Sequence, residues 1–134
     1  MKTKTRYTIV DVLIQAKFEK SKHRDGTKAP ALINGILQNK KTKQVLYGAS
    51  MSSKTLDETM ETGFVVLYSR SRKCRWFKGE TSGNTLKVID IYLNCDNDQL
   101  LIMVEPQGEG VCHEKDSEGK YKPTCFSKFL LKTG

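Results

Sequence analysis

Apolar residues come in short runs separated by polar, charged or glycine-containing stretches. Ala31–Leu37 and Gln44–Tyr47 flank the polar segment Asn39–Lys43, the pattern of two strands joined by a hairpin turn. Ser52 or Ser53 then offers an N-cap, Leu56 and Met60 share a face, and Gly63 supplies a stop. That combination predicts a helix of about ten residues. Phe64–Tyr68 is rich in β-formers, Leu86–Leu93 nearly alternates, and Gln99–Val104 follows the polar Asn94–Asp98. The last two runs read as a second hairpin. Residues 114–124 read as an exposed loop and Cys125–Leu131 as a final strand. Lys22–Gly26 is a turn, whereas Tyr7–Phe18 suits the core but fits strand and helix periods alike. No internal repeat or interdomain linker interrupts the sequence. The expectation is one α+β domain over residues 1–134, mostly strand, with one helix.

Composition narrows the classes of function. The 134 residues suit one domain, and 37% apolar residues suffice for one core. Lys and Arg number 23 against 15 Asp and Glu, a net charge of +8. This excess favours an anionic partner, whether nucleic acid, a membrane surface or a phosphorylated small molecule. No apolar run approaches the ~18–20 residues that span a bilayer, and Met1–Arg6 leads into no signal-type segment. A membrane protein and a secreted precursor are therefore not expected; a cytoplasmic location is. Four cysteines stand at 74, 95, 112 and 125. Without an export signal, metal binding or catalysis is a better use for them than disulfides, beside the plain alternative of small core residues. The spacings Cys95-x16-Cys112-x12-Cys125 contain no CxxC and disfavour a zinc ribbon.

Three clusters can carry chemistry. In Lys78-Gly79-Glu80-Thr81-Ser82-Gly83-Asn84, two glycines bracket small polar side chains, so backbone N–H groups and hydroxyls can approach a phosphate or ribose. Upstream, Arg70 and Arg72 supply guanidinium forks suited to phosphate, although a solvated basic turn would have the same composition. In Asn94-Cys95-Asp96-Asn97-Asp98, oxygens at alternate positions can converge on a hard cation while Cys95 points the other way. The same residues are also ordinary turn formers. Lastly, Cys112-His113 and Cys125 supply thiols beside a proton carrier, and three thiolates with an open fourth position resemble a catalytic zinc site. His23 lies in a basic loop and reads as exposed.

Ser69-Arg70-Ser71-Arg72, Trp76, Lys78–Asn84, Asp90, Asn94–Asp98, Val104-Glu105-Pro106, Cys112-His113 and Cys125-Phe126 occur in this order. Together they closely resemble the phosphoribosyl-AMP cyclohydrolases over about residues 31–129, and Met51–Gly63 resembles the family's helix. The resemblance implies an intertwined homodimer that hydrolyses the N1–C6 bond of the adenine ring in N1-(5-phosphoribosyl)-AMP, the third step of histidine biosynthesis. It implies Zn²⁺ on Cys95, Cys112 and Cys125 drawn from both subunits, and Mg²⁺ on Asn94, Asp96 and Asp98. Zinc of this kind brings the pKa of a bound water to about 7, for attack at C6 with His113 moving a proton. Arg70, Arg72, Lys78, Gly79, Glu80, Thr81, Ser82 and Gly83 would serve the two substrate phosphates. The sequence departs from the family pattern in three places. Asn94 replaces an aspartate. Glu114-Lys115 follow His113 before a longer loop to Cys125. Tyr47–Ser50 replace a bulkier approach to the helix. These departures keep open a catalytically impaired member. A small basic nucleic-acid module using Arg70, Arg72, Arg75, Trp76 and Lys78 is the rival, but it leaves the cysteines unexplained. On the resemblance, neither nucleic acid nor membrane is expected as a partner.

Overall fold

The computed structural model describes residues 15–134, so most of the run Tyr7–Phe18 lies outside the described residues. Among the described residues, seven strands and one helix are placed in chain order: β1 Glu19–Lys22, β2 Lys28–Asn39, β3 Val45–Ser52, α1 Ser53–Thr62, β4 Val66–Ser69, β5 Cys74–Phe77, β6 Leu86–Leu93 and β7 Gln99–Pro106. They form one mixed sheet in the order β5-β4-β3-β2-β7-β6, with β1 added to β2.

β2 organises the sheet because it is long enough to share an edge. On one side β3 pairs with it antiparallel from Leu32↔Ser52 to Gln38↔Val45. On the other, β1 takes its first half, and β7 runs parallel to its second half from Asn34↔Gln99 to Asn39↔Val104. Ile33, Gly35 and Leu37 alternate inward, and the buried cluster joins Ile33 and Leu37 to Leu46, Met51, Leu56, Leu67, Leu100 and Ile102. Asn39 closes the β2–β3 hairpin by accepting from Lys41 N and Thr42 N, as the turn composition predicts.

The helix matches its sequence signals. Ser52 Oγ accepts from Thr55 N at 3.1 Å, Thr55 Oγ1 accepts from Ser52 N at 2.9 Å, and Gly63 ends the helix at φ 79°. Thr59 is fully buried beneath it. Its hydroxyl accepts from Val66 N at 2.9 Å and lies within donating distance of Thr55 O and Val66 O, tying α1 to β4.

Two expectations change. Cys125–Leu131 is not a strand. Only Cys125 N finds a strand backbone, donating to Leu46 O at 2.8 Å, and Phe126, Phe129, Leu130 and Leu131 stay exposed. β4 pairs with β3 only at Ser50↔Tyr68, which leaves Leu46 O to Cys125 N, but the segment turns away after that single bond. Conversely, β1 and β5 were not foreseen. β5 is short, and the basic Ser69–Lys73 segment proves to be the turn of a β4–β5 hairpin, with Lys73 at φ 59°. The loop 114–124 is largely exposed as expected and closes on itself through a Lys115↔Tyr121 bridge.

Replacing Thr59 with Val keeps the shape but strands Val66 N without its acceptor. We expect Thr59→Val to lower stability by about 1–3 kcal/mol, read as a lower urea midpoint at unchanged slope. A midpoint equal to that of the parent would remove the hydroxyl from this role.

Candidate active site

The β1–β2 turn, the middle of β3 and the β4–β5 turn enclose a cleft of about 470 Å³. Tyr47, Tyr68 and Trp76 give it apolar surface, Ser69 and Ser71 give it hydroxyls, and Arg24, Arg70, Arg72 and His113 give it donors. No carboxylate is among its lining residues. The tight turn presents the arginines: Ser69 Oγ accepts from Arg72 N at 3.1 Å, and Arg70 Nε donates to Lys22 O at 2.7 Å. His23 departs from the exposed-loop expectation. Its ring lies 2.8 Å from the Tyr68 hydroxyl and is stacked on that ring. Nδ1 lies 3.0 Å from the local Thr27 hydroxyl, but Tyr68 is 45 residues away in the chain, so no local signal reveals it.

Behind one wall of the cleft lies the cysteine pair. Cys112 is buried and Cys125 is partly buried, and the two lie close enough for Cys112 to bear on the ionisation of Cys125. Burial first, and Cys112 second, push the Cys125 thiol up to about 12. Lys78 stands beside them at 5% exposure. Its Nζ donates to Val111 O at 2.6 Å and lies 5.4 Å from the Trp76 ring and 5.7 Å from the Tyr47 ring. Burial holds this ammonium below the ordinary lysine range, opposed by the charge that Cys125 and Cys112 can carry. Lys78 is therefore part of the cysteine surroundings rather than of the open cleft.

The loop after Lys78 owes its shape to glycine. At Gly79 φ is 87°, and a Cβ would stand 2.4 Å from the Asn84 carbonyl carbon, so no other residue fits. Gly83 N donates to Gly79 O at 2.8 Å, which leaves Glu80, Thr81, Ser82 and Gly83 exposed at the tip. Asn84 is buried and its Oδ1 accepts from Glu109 N, fastening the loop to the segment that leads to Cys112.

The remaining candidates lie elsewhere. Asn94, Cys95, Asp96 and Asp98 form the β6–β7 turn, and Cys95 is exposed. Cys125 is docked at Leu46, near the level of Ile102 on β7, whereas Cys95 lies beyond the Leu93↔Leu100 pair. At ~3.3 Å per residue and ~4.8 Å per strand, that is about 13 Å along the sheet and about 14 Å across it, from β3 to β6. Thiols sharing one zinc lie within about 4 Å of each other, given Zn–S bonds of about 2.3 Å. One copy thus unites Cys112 and Cys125 but not Cys95, and among the described residues no three His, Cys, Asp or Glu side chains form a metal-sized group. In the turn, Asn94 Oδ1 accepts from Asp98 N and Gln99 N, and Asn94 Nδ2 donates to Asp98 Oδ1 at 2.8 Å. A cation on Asn94, Asp96 and Asp98 would require Asn94 to release these bonds.

A family model described as phosphoribosyl-AMP cyclohydrolase matches residues 48–127, well over half of the sequence, and leaves His23, Arg24 and Tyr47 outside it. The chain belongs to the phosphoribosyl-AMP cyclohydrolase family. The phosphoribosyl-AMP cyclohydrolase of Solibacter usitatus is 43% identical over 90 residues, covering 67% of this chain and 71% of that protein. The histidine biosynthesis bifunctional protein HisIE of Buchnera aphidicola is 47% identical over 89 residues, 66% of this chain and 41% of its own length. The HisIE protein of Staphylococcus aureus strain COL is 50% identical over 82 residues, 61% of this chain and 39% of its own. The chain therefore spans roughly two-fifths of those bifunctional relatives. This cyclohydrolase-family chain has no helix, among the described residues, long and apolar enough to cross a membrane.

In Asn94→Asp a carboxylate replaces the amide that now faces Asp98 at 2.8 Å. Two adjacent like charges favour a divalent cation between them. Millimolar Mg²⁺ should raise the thermal midpoint of the variant more than that of the parent. Equal responses would exclude the turn as a magnesium site.

Proposed function

We propose that this chain is a metal-dependent hydrolase that opens the adenine ring of N1-(5-phosphoribosyl)-AMP at the N1–C6 bond, in the third step of histidine biosynthesis, as a homodimer. The observation that carries the proposal is a basic cleft free of carboxylates whose wall places His113 directly after one of two paired thiols. A doubly phosphorylated nucleotide needs such a surface, because two phosphate monoesters bring about four negative charges at neutral pH.

The donor set fits zinc. Cys112 and Cys125 are already together, soft, and beside the Lys78 ammonium, which opposes the upward push of burial on Cys125. Cys95 of the partner subunit would supply the third thiolate, since the chain's own Cys95 sits too far along the sheet. When bound, zinc supplies the Lewis acidity that makes water a nucleophile near neutral pH. Asn94, Asp96 and Asp98 would hold Mg²⁺ once Asn94 turns from its capping bonds. The protein's own groups do the rest. Arg70 and Arg72 bind phosphate at the open end. Tyr47 and Trp76 give the purine an aromatic wall. His113 takes a proton during attack at C6 and returns one to N1 as the ring bond breaks. The exposed Glu80–Gly83 tip serves the site across the subunit contact. A cytoplasmic setting accords with three thiolates kept reduced.

The test is a spectrophotometric assay of phosphoribosyl-AMP hydrolysis on protein of defined metal content. Turnover by the zinc-loaded dimer is expected, and its absence there defeats the proposal. His113→Ala should lower kcat by about 10²–10⁴-fold with zinc retained; zinc lost with it would make His113 a ligand or support instead. Cys112→Ser should lose zinc, and Cys74→Ser should keep it, because Cys74 is exposed at the start of β5. Chelation should weaken the dimer in sedimentation, since shared ligands link metal binding to association. A zinc-loaded, active monomer would refute the shared site.

A further inference from the structure

Arg24 reaches the cleft from outside the region that matches the family, on a turn held in place by bonds of its own. The turn between β1 and β2 closes through His23 N to Thr27 O at 2.7 Å and Gly26 N to His23 O at 2.9 Å, with Gly26 at φ 89°. It is fastened to the β4–β5 turn from both sides. Arg24 N donates to Arg70 O at 3.2 Å, and Arg70 Nε donates to Lys22 O at 2.7 Å. Lys73 pairs with Asp25 at 2.5 Å. These contacts make one basic rim out of two turns that are far apart in sequence.

Charge then decides what the rim can bind. Asp25 is the nearby carboxylate, but Lys73 and Thr27 already engage it, and it is not among the cleft-lining residues. Among the described residues the Arg24 guanidinium has no ion-pair partner. Arg24, Arg70 and Arg72 therefore share the cleft with the Ser69 and Ser71 hydroxyls and no opposing acid. Three guanidinium groups and two hydroxyls around one opening match a tetrahedral dianion, whose several oxygens accept forked N–H donors.

We propose that Arg24 binds one of the two phosphate monoesters of the substrate, in a subsite completed by the β1–β2 turn. The proposal rests on the reading of this cleft as the substrate site. Arg24 is a specificity residue here, and the Asp25–Lys73 pair is a positioning contact that keeps it over the cleft. Charge-assisted bonds of this kind are worth about tenfold or more in affinity.

Arg24→Ala should raise KM for phosphoribosyl-AMP at least about tenfold with kcat within about twofold. Arg24→Lys should recover part of the loss, and the thermal midpoint of both variants should stay with the parent because the side chain is exposed. Lys73→Met should raise KM in the same sense and less steeply. Calorimetry with AMP and adenosine separates phosphate recognition from base recognition: AMP should weaken in Arg24→Ala and adenosine should not. An unchanged KM, or equal weakening of AMP and adenosine, would overturn the assignment. If the parent protein hydrolyses no phosphoribosyl-AMP, the reaction reading fails alone, and the AMP–adenosine comparison still decides Arg24. Retained AMP affinity then counts against it.

Discussion

A buried ammonium without a carboxylate partner sets the terms for the whole site. Lys78 is held by one carbonyl, that of Val111, and by the faces of Tyr47 and Trp76. Such a charge is costly to bury unless compensating charge stands nearby. The groups able to supply it are Cys112 and Cys125. The need for compensation works in both directions, because burial and the neighbouring Cys112 make the Cys125 thiol harder to ionise, and the cation offsets part of that penalty. One hydrogen bond thereby fixes the Val111–Cys112 backbone, orients the aromatic wall and makes the thiol pair electrostatically tolerable.

The local elements were legible because their signals are local. The hairpin around Asn39–Lys43, the Ser52 cap, the Gly63 stop and the strand Leu86–Leu93 depend on residues close together in the chain. Failure came where structure depends on who the neighbour is. Cys125–Leu131 has the composition of a strand, yet only Cys125 N bonds to β3 and the apolar side chains beyond it stay exposed. The Ser69–Lys73 arginines read as phosphate forks, and only the register of β4 against β5 reveals them as a turn as well.

The site divides along the same line. Residue types and spacing picked out Arg70, Arg72 and His113, which share the cleft, and Cys112 and Cys125, which lie together beside Lys78. Spacing carries no information on depth, so it could not foresee that Lys78 is buried while Glu80–Ser82 are exposed. Nor could it foresee that Asn94 closes its own turn. Arg24 was missed for a simpler reason: nothing in Lys22–Gly26 announces that the turn folds back over Arg70.

The parallel pairing of β2 with β7 has a kinetic consequence. Asn34 and Gln99 are partners across 65 intervening steps of chain, and β3, α1, β4, β5 and β6 all lie between them. The hairpins can zip locally within microseconds, but this seam forms only after a long loop has closed, whose entropy no short-range bond repays. Refolding should therefore be governed by the seam and appear cooperative. Nascent chain shorter than about Gln99 leaves the Asn34–Asn39 half of one flank of its central strand open during synthesis.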